Sequence, residues 1–307
     1  MTKQTIETNT SDLLAHEENG VAVITLNRPQ ARNAMSGEMN IALAHALDHA
    51  ERNASVRAIV ITGAGGAFCA GGDVKGMNSR NESDENDGTS SGPTLDEAIH
   101  NQRLNQRSTA GRIFLMPKPV IAALPGPAAG AGLSLALAAD LRIMADSAFI
   151  TTAFAKVGFS GDYGGSFFLS KLVGLGKAKE LYFLSDRVDA QTCAALGIAN
   201  QVVPAAELTQ ATLALAERLA AGPPVAYRYM KENFTRAAMG GDVNECLDLE
   251  AETLATDFAL ENSTLDGSLN LLKTRAKLVS LEGTCVKGID ADGLETSGDL
   301  HLSLIHI

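Results

Sequence analysis

Residues 56–75 read VRAIVITGAGGAFCAGGDVK, an apolar run that breaks into a glycine-dense turn and closes on a lysine. Ala58-Ile59-Val60-Ile61 is continuous in its apolarity, the pattern of a strand buried on both faces. Five of the next residues, Gly63, Gly65, Gly66, Gly71 and Gly72, are glycines. Glycine permits positive φ and lets a ligand come close to the main chain. Amides turned outward in such a loop can hold a developing oxyanion with no side chain involved. Lys75 adds one positive charge beside that turn, so the stretch reads as a site for an anionic substrate. Two plainer readings stand beside this one. The loop could be only a tight turn after a strand. It could also be a dinucleotide loop, but G-x-G-x-x-G starting at Gly63 meets Phe68 where its third glycine belongs.

Upstream, 12–18 and 21–27 read as two strands joined at Glu18-Asn19-Gly20, because Asn-Gly is a strong hairpin signal. Residues before 12 are polar and are expected to fray. Asn27-Arg28-Pro29 ends the second strand, since proline cannot donate to a ladder. Ser36 is the candidate N-cap of a helix from Gly37 to Arg52, with Ile41, Leu43, Ala44 and Leu47 expected on its apolar side. His45 and His49 stand four apart on it, but no third metal ligand accompanies them, so both are expected to face solvent.

Downstream, Met77 to Pro93 is polar and charged and cannot bury itself, so it is expected to be a mobile loop, either a lid or a surface excursion. A helix is predicted from Thr94 to Met116, stopped by Pro117 and Pro119. Val120 to Leu124 is a second buried strand. It leads into another small-residue turn, Pro125 to Gly132, and then an almost wholly apolar helix, Leu133 to Ala139. Strand, glycine turn and buried helix thus recur about sixty residues after the first such unit, a ββα repeat whose helix starts leave amides unpaired. A strand at 141–144 and a strand-like stretch at 148–153 precede a third glycine turn, 156–166, which carries Asp162. Helices are predicted at 165–173, 176–184 and 190–196, a strand at 201–203, and helices at 205–220, 223–239 and 242–279. Pro223-Pro224 suits the start of the second of these last three.

Composition narrows the functional classes. The chain has 307 residues, is 45% hydrophobic and carries a net charge of −11, with no Trp and no basic tract. Nucleic acid and anionic membrane surfaces are therefore poor partners. No apolar run approaches the roughly twenty residues that span a bilayer, and MTKQTIETNTSD lacks the apolar core of a secretory signal. Cys69, Cys193, Cys246 and Cys285 lie far apart, which reads as reduced thiols of a cytoplasmic protein, with no metal site and no disulfide framework. From about Gly283 helix formers and periodicity fade. The closing LSLIHI reads as translated sequencing adaptor, so 283–307 is set aside as a non-native tail.

Four segments together carry a family resemblance: NRPQARNAMS at 27–36, AFCAGGDVKGM at 67–77, KPVIAALPGPAAGAGLSLALAADLRI at 118–143 and GFSGDYGGSFFLSKLVG at 158–174. In this order and spacing the chain, over about 12–280, resembles the crotonase superfamily of enoyl-CoA hydratases and isomerases. The resemblance implies an α/β fold, a spiral of ββα units over 12–203, followed by a helical C-terminal subdomain at 204–282 that trimerises, so a homotrimer or hexamer is expected. It implies an acyl-CoA thioester substrate, with coenzyme A part of that substrate and no separate cofactor. By position, the two amides that hold the thioester oxygen correspond to Gly72 and Ala131. Arg32, Ala70, Gly71, Asp73, Val74 and Lys75 match the segments that line the coenzyme A site.

Two departures from the family pattern bear on the reaction. The glutamates that hydratases carry after the second loop and ahead of the third correspond here to Ser134 and Phe154. A hydroxyl and a phenyl ring cannot position and deprotonate water. One carboxylate, Asp162, stays in register with the acidic proton shuttle of several isomerases, and a single carboxylate suits a 1,3-proton shift. Asp162 as a plain turn former is the competing reading. The expected activity is that of an enoyl-CoA isomerase acting through an enolate. The alternatives are an enoyl-CoA hydratase, which is a lyase, and a non-catalytic acyl-CoA-binding paralogue.

Overall fold

The computed structural model describes residues 3–73 and 93–266. Val74, Lys75, the stretch 77–92, the helix beyond Asp266 and the tail from 283 lie outside them. Contacts divide the chain into a compact unit, Met1–Leu247, and a second unit beginning at Asp248.

The first strands are β1 (Gln4–Ile6), β2 (Leu13–Glu18) and β3 (Val21–Leu26), each antiparallel to the next. The β2–β3 hairpin turns on Asn19 and Gly20 with φ of 52° and 78°, the left-handed pair that an Asn-Gly turn favours. β1 corrects the expectation of a frayed tail: Gln4, Thr5 and Ile6 pair with Glu17, His16 and Ala15. A three-residue edge strand leaves too little periodicity in sequence to be seen.

Helix α1 (Gly37–Arg52) begins at Ser36, whose hydroxyl accepts from the Met39 amide at 3.1 Å. Its inner face is Met39, Ala42, Leu43, Ala46, Leu47 and Ala50. Ile41, expected inside, is 60% exposed, because the buried stripe follows the small residues that let α1 lie close to the sheet. His45 and His49 are exposed as expected, and the His49 ring meets Glu17 at 2.6 Å.

Strand β4 (Ala58–Gly63) runs parallel to β3 with Ile59 opposite Ala22. Beyond the glycine loop come α2 (Leu95–Gln106), one π turn (Arg107–Gly111) and α3 (Arg112–Leu115). Thr94 and Glu97 close a capping box at the start of α2. Strand β5 (Val120–Leu124) is buried along its whole length, β6 (Ala128–Ala129) is short, and α4 (Ala131–Ala138) is buried on every side. The chain continues through β7 (Leu141–Ala145), β8 (Phe149–Thr151), α5 (Gly165–Leu184), β9 (Val188–Asp189), α6 (Ala190–Ala195) and β10 (Gln201–Val203). Helix α5 breaks at Gly174 (φ 75°, ψ 161°), so the two helices expected at 165–173 and 176–184 are present as halves across that kink. Helices α7 (Leu208–Ala220), α8 (Pro224–Ala238) and α9 (Val243–Asp266) complete the described chain.

Seven strands form one sheet in the order β1-β2-β3-β4-β5-β7-β10, parallel from β3 onward, and β6-β8-β9 form a second, smaller sheet. Each repeat gives one strand to the large sheet and the next to the small one before entering a helix: β5-β6-α4, then β7-β8-α5. The first repeat does the same in reduced form, since Cys69 bridges Ala128 of β6. This is the crotonase-like ββα architecture, and it stacks the glycine turns of successive repeats on one another.

Ser36→Ala removes the α1 cap and its hydrogen bond to Asp12. Stability should fall by about 1 kcal/mol, a drop in Tm of about 2–4 °C by thermal denaturation.

Candidate active site

The loop after β4 is held from below by one buried side chain. Asn33, wholly buried and in a left-handed conformation (φ 58°), donates its amide to the carbonyls of Ala64 at 2.9 Å and Ala67 at 2.8 Å. Its own oxygen accepts from the Arg28 amide at 2.8 Å. The Arg28 guanidinium then reaches forward to the Asp73 carboxylate at 3.0 Å and to the Ala34 carbonyl at 2.7 Å. Both residues belong to the 27–36 motif. Their structural task was not legible in sequence, because their partners lie about thirty to forty-five residues away.

The same loop is zipped to the loop after β5. The Phe68 and Cys69 amides donate to Pro127 O, and the Ala129 amide donates back to Cys69 O at 2.9 Å. The contact is so close that a β-carbon at Gly71 would stand 3.0 Å from Ala129 O and 3.5 Å from the Ala131 nitrogen. One at Gly132 would overlap Cys69 Cβ at 2.5 Å and its carbonyl oxygen at 2.6 Å. The seam therefore sets Gly71, the residue before Gly72, against Ala129 and the nitrogen of Ala131. Ala131 opens α4, so its amide has no carbonyl four residues back to bind. The parallel bridge of Gly72 to Met35 uses the Gly71 carbonyl and leaves the Gly72 amide outside the ladder. Two such donors at the N-terminus of a buried helix suit an oxygen that gains negative charge.

The third glycine turn packs against α4, where Gly165 meets Ser134, and it carries Asp162 near the first loop. Asp162 is half-buried, and its Oδ1 has no hydrogen-bond partner among the described residues. Burial pushes its carboxyl up from 3.8 to about 6, as it disfavours the charged form. Its charge is felt by Cys69 on the first loop and by Tyr163 and Tyr182, whose own values burial already raises to about 12. The turn is held in place around it. Tyr163 sits at φ 48°, unusual for a bulky residue, and its amide donates to Gln106 Oε1 at 2.8 Å. Tyr182 packs its hydroxyl edge against Gly161 and Gly165, and a β-carbon at Gly165 would lie 2.5 Å from that oxygen and would overlap Ser134 Oγ.

Of the other residues singled out in sequence, Ser134 is buried and donates to Gly130 O at 3.2 Å, and Phe154 is buried with its ring 3.7 Å from a β-carbon built at Gly130. Phe154 stacks on Tyr182, with ring centroids 5.7 Å apart. Arg32 is exposed, its carbonyl takes the Ala70 amide at 2.9 Å, and its guanidinium pairs with no carboxylate among the described residues. Asp73 differs from a free coenzyme A contact in that Arg28 already binds its carboxylate. Among the described residues no three His, Cys, Asp or Glu side chains gather to hold a metal, and no helix there is long and apolar enough to cross a membrane.

The described site thus combines two tightly apposed glycine loops, the unpaired first amide of a buried helix and one half-buried carboxylate raised to about 6. Comparison with known proteins places the chain more closely. The model of the enoyl-CoA hydratase/isomerase family matches residues 16–275. The 1,2-epoxyphenylacetyl-CoA isomerase of Escherichia coli is 35% identical over 240 residues, 78% of this chain and 87% of the relative. A probable enoyl-CoA hydratase of Rhodobacter capsulatus is 36% identical over 76% of this chain and 84% of its own length. Among solved structures, a putative enoyl-CoA hydratase of Streptomyces coelicolor superposes with a TM-score of 0.73 at 32% identity, covering 84% of this chain and 92% of that one. The chain belongs to the enoyl-CoA hydratase/isomerase family, whose substrates are acyl-CoA thioesters.

Gly132→Ala should drive the two loops apart at Cys69. We expect a loss of about 1–3 kcal/mol in chemical denaturation. Acyl-CoA turnover should fall at least tenfold in the fraction that remains folded, since the Ala131 amide is displaced.

Proposed function

We propose that this enzyme is an enoyl-CoA isomerase that moves a carbon–carbon double bond within an acyl-CoA thioester. The observation that carries this reading is Asp162: a carboxylate with an unpartnered buried oxygen, raised to about 6, close enough to the first loop for its charge to act on Cys69. With a 3-enoyl-CoA, the Gly72 and Ala131 amides donate hydrogen bonds to the thioester oxygen. The Asp162 carboxylate removes a proton from C2, and the electron pair of that C–H bond becomes the new C1–C2 π bond of a dienolate while charge moves onto oxygen. The acid so formed returns its proton to C4, the electrons settle between C2 and C3, and the carboxylate is restored. One group serves both transfers, which is why no second carboxylate is needed.

Ser134 and Phe154 support this choice over hydration. A buried serine already hydrogen-bonded to Gly130 O and a phenyl ring stacked on Tyr182 give no pair of groups to hold and deprotonate a water. Arg32, Ala70, Gly71 and Asp73, with Val74 and Lys75, form the coenzyme A side in this reading. The exposed guanidinium of Arg32 is available to a phosphate, whereas Asp73, bound to Arg28, contributes its backbone. The enzyme acts as a homotrimer or hexamer, a reading supported by Met230 and Phe234 standing exposed on α8. The buried, unpaired thiols of Cys69 and Cys193 suit a reducing, cytoplasmic setting.

A 3-enoyl-CoA should be converted to the 2-enoyl isomer of the same mass. Asp162→Asn should lower kcat by about 10²–10⁴-fold. A product heavier by one water, abolished by Asp162→Ala, would turn the assignment to a hydratase, and tight binding without turnover would make the chain a binding paralogue. Because the free enzyme must hold Asp162 as the carboxylate, kcat/KM should rise with pH through an apparent pKa near 6.

Stability should run the other way. The folded-state value lies above 3.8, so the native state is penalised for the charged form: the penalty is absent below about pH 4 and complete above about pH 6. Asp162→Asn should therefore stabilise the protein at about pH 8 by about 1–2 kcal/mol, after discounting for the side chain's remaining exposure, and by nothing near pH 4. Thermal denaturation at both pH values checks this.

A further inference from the structure

The described chain contains a single π turn, Arg107–Gly111, and it begins directly after the residue that grips the 161–164 turn. A π turn admits an extra residue into a helix and re-aims the side chains on either side of it, and such turns gather at functional sites. Here it lies at the end of α2, packed against α1 and α4. Its interior is satisfied locally, with the Asn105 carbonyl taking the hydroxyls of Ser108 at 3.2 Å and Thr109 at 2.6 Å, and Thr109 and Ala110 buried. Gln106, the last residue before the turn, sends its side chain across to the Tyr163 amide, next in sequence to Asp162.

From this geometry we infer that Gln106 is the positioning residue for Asp162, holding the 161–164 turn so that the carboxylate stays aimed at the seam of Gly72 and Ala131. This rests on the isomerase reading for its catalytic part and on geometry alone for its structural part. Three features require such a hold. Tyr163 occupies a left-handed conformation that a bulky side chain disfavours, so something must fix it. Gly161 (φ 122°) and Gly164 (φ 75°), which flank the Asp162-Tyr163 pair, give the turn no stiffness of their own. Asp162 Oδ1 has no hydrogen bond among the described residues, so no side-chain contact fixes the carboxylate itself. Apart from Gln106, the turn is restrained by Gly165 N donating to Asp162 O at 3.1 Å and by Asn40 of α1 on the Tyr163 phenol. The Gln106 contact is the one that acts on the backbone directly after the carboxylate.

The groups facing Asp162 from each packed element are Cys69 on the first loop, Tyr163 beside it and Tyr182 on α5, all of them neutral below about pH 9. Asn40 and Gln106 do not titrate. A difference between wild type and Asp162→Asn that depends on pH between about 4 and 8 therefore reports Asp162 rather than these neighbours.

The test uses the full-length enzyme and two variants. Gln106→Met keeps the shape and loses the acceptor; Gln106→Glu keeps an acceptor and adds a charge. With a 3-enoyl-CoA, Gln106→Met should lower kcat about 10–100-fold with KM changed less than about twofold, the signature of a misplaced group. Gln106→Glu should recover kcat to within about threefold at high pH, with the pH profile shifted upward because its charge opposes that of Asp162. Independently of turnover, the rise in Tm that Asp162→Asn gives near pH 8 should shrink by at least half in the Gln106→Met background, where a released Asp162 reaches solvent. Failure of the wild type to isomerise would remove the isomerase reading and leave the Tm comparison to decide on Gln106. An undiminished Tm gain in the Gln106→Met background overturns the inference. So does an unchanged kcat per folded enzyme, or a Gln106→Glu variant as slow as Gln106→Met at every pH.

Discussion

Three backbone hydrogen bonds between two glycine turns, from Phe68 and Cys69 to Pro127 and from Ala129 back to Cys69, set the spacing on which the rest of the site depends. They are main-chain bonds, so no substitution short of proline at a donor deletes them directly. What substitution can do is push the strands of the seam apart, and the glycines mark where that would happen. Gly126 lies so close to Gly66 O, and Gly132 to Cys69, that neither tolerates a β-carbon without movement of backbone. Small residues are required here because two loops must approach within hydrogen-bonding distance while each keeps one amide free for a ligand.

The seam is in turn a product of the repeat. Each ββα unit places a strand in the large sheet and the next in the small sheet, so the turn between them falls at the same height each time. Parallel pairing of β4 with β5, Ile59 opposite Val120, brings the two turns level. The helix that follows the second turn is buried on all sides, which keeps its first amides away from bulk water and in a medium where a hydrogen bond to charged oxygen is strong. Asn33 and Arg28 then lock the first turn from the side opposite the seam.

Much of this was legible in sequence where the information is local. The Asn19-Gly20 hairpin, the Ser36 cap and the two halves of α5 around Gly174 follow from turn and cap chemistry within a few residues. The family motifs brought Gly72, Ala131 and Asp162 to attention. What sequence did not show is non-local or structurally exceptional. β1 exists because Ile6 finds a place against β2, not because QTI announces a strand. Ile41 faces out because the sheet beneath α1 selects alanines. Gln106 looked like any polar residue within the helix expected from Thr94 to Met116, since neither the π turn nor a partner 57 residues away leaves a periodic trace. Asp73 sits in a motif that suggested a ligand contact, and its carboxylate is bound by Arg28.

The site's electrostatics explain why holding the carboxylate falls to the backbone rather than to a hydrogen bond on the carboxylate itself. A donor to Asp162 would lower its pKa and weaken it as a base, and a cation nearby would do so more strongly. Leaving Oδ1 without a partner keeps the group near 6, which under the isomerase proposal suits a group that takes and returns a proton, but removes the usual means of fixing its direction. The restraint must therefore act one residue away, on an amide that does not alter the carboxylate's charge balance. A neutral glutamine satisfies that condition, whereas a lysine or arginine in its place would hold the turn and spoil the base. The same logic accounts for the company Asp162 keeps: Cys69, Tyr163 and Tyr182 are all neutral at physiological pH, so burial alone sets its value.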